Sequence, residues 1–174
     1  MDTVAALLAA AVFLAPMFVS RVPYAPLVQK LQASGGDLGR VVHAHTLADL
    51  APLASGRRYK FAVTPDGRLA IAPLAADAPH NEYVHPVLGG GAPVLSAGGL
   101  VVDRGADGRI RKVTLDQDSR SYCPTLASLA AAASALERLG VPGAAITRHD
   151  QPPACTPPPT RSPPPTRSPS SSSP

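Results

Sequence analysis

Apolar and polar positions alternate most cleanly between Tyr59 and Ala72. Tyr59, Phe61 and Val63 alternate with Lys60, Ala62 and Thr64, and Leu69 and Ile71 alternate with Arg68, Ala70 and Ala72. A period of two is the mark of a strand with one buried face. Thr64-Pro65-Asp66-Gly67 separates the two runs. Proline presets φ in a turn and glycine supplies a positive φ, so the pattern predicts a hairpin. A second hairpin is predicted from Ala97–Asp103 and Arg109–Asp116, around the polar turn 104–108. In its second strand Ile110 has the opposite parity from Val113 and Leu115, which a bulge or twist near Arg111 would reconcile.

The helical period appears later. Leu126, Leu129, Ala133, Leu136 and Leu139 fall on one face and predict a helix from Thr125 to Leu139. Pro124 suits its first turn, Gly140 its C-terminal cap, and Pro142 prevents continuation. A shorter helix is predicted over Pro26–Gln32, stopped by Gly35-Gly36. Val41–His45 reads as a short strand, Thr46 as the cap of a brief helical turn at Leu47–Leu50, and Ala144–Arg148 as a last strand. Pro73 to Glu82 reads as a loop. The expected fold is α+β: an antiparallel sheet of four to six strands from two hairpins, with one main C-terminal packing helix.

The two ends differ from this body. Residues 4–19 are almost wholly apolar and are interrupted by Pro16. The run falls short of the roughly twenty residues of a spanning helix. Only Asp2 precedes it as a charge, and Ser20-Arg21 is a poor cleavage site. It reads either as a signal-like or anchor-like segment, which would give membrane contact, or as a buried apolar helix. From Gln151 onward Pro-Pro-Pro-Thr-Arg-Ser is repeated at 157–162 and 163–168. Such a tail has nothing to bury and favours polyproline II, a form that SH3-type partners bind, and Ser162 and Ser168 are possible phosphorylation sites. The expected division is an N-terminal segment at 1–22, one domain at 23–150 and a tail at 151–174.

Aromatic residues make up 4% of the chain and tryptophan is absent, so the core must come from Ala, Leu and Val. The formal charge is +4, with Arg161 and Arg167 in the tail. No basic run is interleaved with aromatics, so no nucleic-acid partner is expected. Two cysteines, Cys123 and Cys155, are too few for a disulfide framework. The ordinary expectation is two free thiols, with a single bridge tying tail to body if the protein is exported. Export or membrane association is the location that the two ends favour.

Five histidines stand out. His43 and His45 share a strand face, a spacing that suits two metal ligands, but no third ligand completes a motif and no metal or other cofactor is expected. His80 and His85 flank Asn81-Glu82-Tyr83 without the zinc-binding H-E-x-x-H order. His85 precedes Leu88-Gly89-Gly90-Gly91, where glycine lets the backbone bend or approach a ligand. No phosphate-loop motif accompanies it. Ser119 and Tyr122 offer hydroxyls in the turn that leaves the second hairpin. A Ser-His-Asp set can be written from Ser96 or Ser119, His85 and Asp116, but no Gly-x-Ser-x-Gly context supports it.

From Tyr59 to Pro142 these pieces form a recognisable series. Thr64-Pro65-Asp66-Gly67-Arg68-Leu69 is followed by His85, Leu88, Gly90, Gly91, Pro93, Val94, Ala97 and Gly98, then by a hairpin, then by Ser119, Tyr122, Pro124 and a helix. The series resembles a small module of bacterial polymorphic toxin C-terminal domains and plant IQ-motif calmodulin-binding proteins, marked by a Ser-Gly-His-Tyr-x-Pro turn. Arg120 stands where the motif has glycine, and Ser121 where it has histidine. No IQ motif or basic amphipathic helix is present, so calmodulin binding does not carry over.

The resemblance implies a toxin- or effector-like module with a degenerate motif, acting by binding. Two alternatives stand beside it: an active transferase or hydrolase using His85 and Tyr122, and a secreted or membrane-tethered protein whose tail binds a protein partner. The expected site is where the 85–91 loop meets the 119–124 turn. His85, Tyr122 and Ser119 are its candidate catalytic groups; Gly90, Gly91 and Arg120 are its candidate ligand-binding groups.

Overall fold

The alternation at Tyr59–Ala72 builds the middle of the sheet. In the computed structural model, which describes residues 16–72, 83–151 and 155, β2 (Arg58–Val63) and β3 (Leu69–Ile71) pair antiparallel. Gly67 has φ +81°, and its N–H donates to Thr64 O at 2.8 Å, closing the turn as expected. The predicted loop at 73–82, with His80, lies outside the described residues, as do residues 1–15 and most of the tail.

The second hairpin is β4 (Ser96–Arg104) and β5 (Ile110–Asp116). Asp103 pairs with Lys112 and Arg104 with Ile110, so Arg111 is the extra residue. The bulge that the parity break called for is therefore at that residue. With β1 (Val42–Ala44) and β6 (Ile146–His149), six strands run in the order β1-β3-β2-β4-β5-β6.

β6 is parallel to β5, while every other pair is antiparallel. The sheet is thus mixed, where the sequence suggested antiparallel pairing throughout. The reason is the helix between these strands: it carries the chain back along the sheet, so that the next strand starts from the same end. The fold is α+β, with a C-terminal packing helix.

That helix, α3, spans Leu129–Arg138 and follows a 3₁₀ turn at Leu126–Ser128. The short turn takes Leu126 off the predicted face and leaves it 40% exposed. Leu129, Ala132, Ala135 and Leu136 are buried instead. Gly140, at φ +98°, donates to Glu137 O, and Val141 donates to Leu136 O. This pair of bonds satisfies carbonyls that the helix end would leave orphaned.

Side-chain parity sorts the sheet into two cores. Tyr59, Phe61, Val63, Leu100, Val102, Val113 and Leu115 pack with Leu129 and Leu136 of α3. Ala62, Ala70 and Ala97 face the other way, into a cluster with Leu31, Tyr83, Val87, Leu88, Val94 and Tyr122. Both faces are therefore covered, and α3 is only one of the two covering layers. The second layer comes from α1 (Tyr24–Ala33) and a one-turn helix, α2 (His85–Leu88). α1 starts earlier than predicted because Pro26 lies in its first turn, where no amide partner is needed.

The chain enters along this second layer. Phe18 pairs with Val94 through two backbone bonds of 2.8 and 2.9 Å and packs into the second core. Phe18 thus belongs to the folded body, although it lies in the apolar N-terminal run. Arg21 N–H donates to Ser121 O at 2.8 Å. No helix among the described residues is long and apolar enough to cross a membrane.

Candidate functional site

His85 opens α2, which lasts one turn because glycine follows. Gly90 and Gly91 have φ of +62° and +77°. A Cβ on Gly89 would lie 2.7 Å from the Tyr122 hydroxyl, and one on Gly91 would lie 2.7 Å from the Tyr24 ring. The glycines let this loop fit between two tyrosines.

His85 is buried, with 7% of its surface exposed. Its Nε2 lies 3.0 Å from Gly98 O. A carbonyl oxygen only accepts, so Nε2 carries the proton and Nδ1 keeps a free lone pair. Burial pushes the imidazole down to about 4, and Lys60 adds to this, while the Gly98 bond, Asp118 and Asp116 oppose it. The ring is neutral near pH 7.

A cavity of about 320 Å³ opens against His85. Arg57, Arg58, Lys60, Gly99 and Asp118 form much of its wall. Arg58 and Lys60 share the strand parity of Ala62, and Lys60 pairs across the sheet with Gly99. Where the same face carries alanine it is filled by apolar packing; where it carries Arg58, Lys60 and Gly99 it stays open and polar. Burial holds the Lys60 ammonium below the usual lysine range, and Asp118 partly offsets this.

Asp116 organises the wall from behind. It is buried, and its Oδ1 accepts from Gly99 N–H, Asp118 N–H and Arg58 Nη2, each at 2.9 Å. Asp118 Oδ2 takes a second contact with Arg58 at 3.2 Å. A side chain at Gly99 would run into Arg58 and Asp116, and one at Gly98 would overlap the Asp116 carbonyl. Both glycines are required by close approach.

Tyr122 is buried in the second core, and its hydroxyl donates to Ala92 O at 3.0 Å. Burial pushes this phenol up to about 12. The Ala92 acceptor lies just past the 85–91 loop, which itself approaches the Tyr122 hydroxyl at Gly89. The cavity lies elsewhere, over β2 and β4: His85 Nε2–H donates to Gly98 O there, and Tyr122 is enclosed in apolar packing. Ser119 is fully buried, and its hydroxyl has no hydrogen-bond partner among the described residues. Gly90, Gly91 and Arg120 are exposed, outside the cavity wall.

Ser96 Oγ lies 3.4 Å from Ser128 Oγ, and the Asp116 carboxylate is engaged with Arg58 and backbone amides. The Ser-His-Asp set is not assembled. His43, His45 and His149 are exposed. No three His, Cys, Asp or Glu side chains among the described residues come together to hold a metal ion.

The cysteines are paired, not free: Cys123 and Cys155 form a disulfide with Cα atoms 5.9 Å apart. Parallel β6 brings this about by returning the chain to the Asp116 end of β5. There Gln117 Nε2 donates to Asp150 Oδ1 at 2.6 Å, and Gln151 N–H donates to Gln117 Oε1 at 3.1 Å.

Sequence reasoning passed over Arg57, Arg58, Lys60 and Asp118. Their signal was the polar parity of β2 together with Gly98-Gly99. What was missing was the β2–β4 register that joins them. No protein-family model, curated protein sequence or solved structure matches this chain.

Proposed function

We propose that the chain is a toxin- or effector-like module that acts by binding a small molecule in the His85 cavity. The observation that carries this reading is the state of the motif's two ring residues. His85, at about 4, is a poor proton acceptor near neutrality, and its Nε2 is committed to Gly98 O. Tyr122, at about 12, is committed to Ala92 O. General acid-base groups work best when their pKa lies near the working pH, so both residues suit positioning and recognition. The toxin-like class comes from the motif resemblance, and its departures at Arg120 and Ser121 favour binding over turnover.

The Cys123–Cys155 bridge supports an exported location, because disulfides persist in oxidising compartments. In this reading the proline-rich tail, rooted at Cys155, is an arm for a protein partner.

The test is equilibrium dialysis of the full chain against a cell-derived small-molecule extract, read by mass spectrometry. The reading expects a compound retained in stoichiometric amount, recovered unchanged, and lost from His85→Gln. Steady consumption of a compound that stops in His85→Gln would favour an enzyme. No retention at all would remove the cavity as a recognition site.

A further inference from the structure

The entry segment carries an apolar surface that the fold holds in place. Phe18 is bonded to Val94 through both of its backbone groups and packs into the second core. Side chains alternate along an extended segment, so its neighbours Met17 and Val19 point the other way; they are 56% and 69% exposed. The Ser20 hydroxyl then closes a turn, donating to Val22 O at 2.7 Å and accepting from Val22 N–H at 3.1 Å. Val22 is 39% exposed. Among the described residues the other large apolar side chains in the open are Leu47 and Leu126, each alone in its stretch of chain. Exposed apolar residues that stand singly are ordinary, whereas a cluster marks a contact surface.

What precedes the cluster in the chain identifies its occupant. Residues 4–15 read Val-Ala-Ala-Leu-Leu-Ala-Ala-Ala-Val-Phe-Leu-Ala, without a polar side chain, and only Pro16 separates them from Met17. The run and the cluster are therefore one continuous apolar stretch. A groove on a partner protein takes its register from polar contacts as well as apolar ones, and this run has no polar side chain to offer. A lipid surface needs none, because apolar burial is non-directional. A crossing helix takes about twenty apolar residues, so a run this short suits the boundary between headgroups and acyl chains rather than a span.

We propose that residues 4–15 together with Met17, Val19 and Val22 form a docking surface for a lipid bilayer, on which the folded body rests without crossing. The Phe18–Val94 bridge makes this more than a tether. It ties the outward side chains to the second layer of the fold, so the body meets the lipid in one orientation. Ser121, which accepts from Arg21 N–H at 2.8 Å, lies on that side, and two residues on is Cys123, the anchor of the tail. None of these residues lines the His85 cavity, so the docking surface stands or falls apart from the binding reading above.

The experiment is flotation of the full chain with vesicles made of equal parts phosphatidylcholine and phosphatidylglycerol, with the disulfide intact. The expected result is that the wild type floats with the vesicles. Met17→Ser combined with Val19→Ser should weaken partitioning about tenfold, the loss expected from two aliphatic side chains partly buried in lipid. Leu47→Ser combined with Leu126→Ser should leave it unchanged. Urea unfolding of each protein is followed without vesicles.

A wild type that stays in the soluble fraction at every lipid concentration would overturn the proposal. Unchanged partitioning in the Met17→Ser, Val19→Ser protein would also overturn it, because residues 4–15 would then act alone as a tether. An equal loss in the Leu47→Ser, Leu126→Ser protein would reduce the effect to general hydrophobicity and overturn the assigned surface. A clearly lower urea midpoint in the Met17→Ser, Val19→Ser protein would mean that this chain or a second copy already covers those side chains, which would overturn the lipid as occupant.

Discussion

Arg58 and Asp116 are 58 residues apart in sequence, and their charged groups lie 2.9 Å apart in space. The two partners are not equivalent. The Arg58 side chain keeps 44% of its surface exposed, while Asp116 keeps 10%. Asp116 also accepts from two backbone amides. Its removal leaves those amides without their acceptor, whereas Arg58 lost from its side can be replaced by water.

Asp116→Ala should therefore cost about 2 kcal/mol of stability, and Arg58→Ala less than about 1 kcal/mol. Urea unfolding of both variants measures this. Equal losses would contradict the view that Asp116 works mainly through the backbone amides of Gly99 and Asp118.

His85 should make stability fall with acid in a defined window. Its folded pKa is about 4, against an ordinary value of 6.5. Between these values the unfolded chain takes up a proton that the folded chain refuses, so stability rises with pH there and is lost as pH falls. The full effect is about 3 kcal/mol, complete near pH 4. Unfolding free energies at pH 7, 6, 5 and 4 should show this slope in the wild type and a flatter one in His85→Gln, which can keep a donor toward Gly98 O. Parallel slopes in the two proteins would place the proton uptake elsewhere.

Ser119→Ala should be neutral or should raise stability by up to about 1 kcal/mol, because its buried hydroxyl, without a partner among the described residues, carries an unrecovered desolvation cost. A clear loss of stability would mean that the hydroxyl has a partner in solution. A gain in stability together with weaker ligand binding would make Ser119 a residue kept for function.

The disulfide closes a sequence separation of 32 residues, for which chain-entropy arguments give about 3–4 kcal/mol. Cys155→Ser should lower the urea midpoint accordingly, and a reducing agent should lower the wild-type midpoint to the same value. A midpoint that ignores reduction would mean that the thiols are not paired in solution.

Local chemistry was legible in the sequence wherever it was self-contained. The Pro65-Asp66-Gly67 turn, the bulge at Arg111 and the Gly140 helix stop each follow from a few adjacent residues. Leu126 was misjudged because a 3₁₀ turn shifts phase relative to an α-helix, and periodicity cannot tell the two apart. The cavity was less legible for a different reason. His85 was singled out by composition, but Lys60 and Gly99 become neighbours only through strand register, and register depends on the whole sheet. The direction of β6 was hidden likewise, because a four-residue strand looks the same whichever way it runs.

The entry segment and the tail root meet at one place. Arg21 is bonded to Ser121, and Cys155 is bonded to Cys123, two residues further on. The folded body therefore has its ingress and egress side by side, like the two ends of a stem. A unit of this shape can be spliced into a surface loop of a host protein without prying the host's backbone apart. A linker that closes it into a ring would have to keep Cys155, because its bridge to Cys123 holds the exit beside the entry.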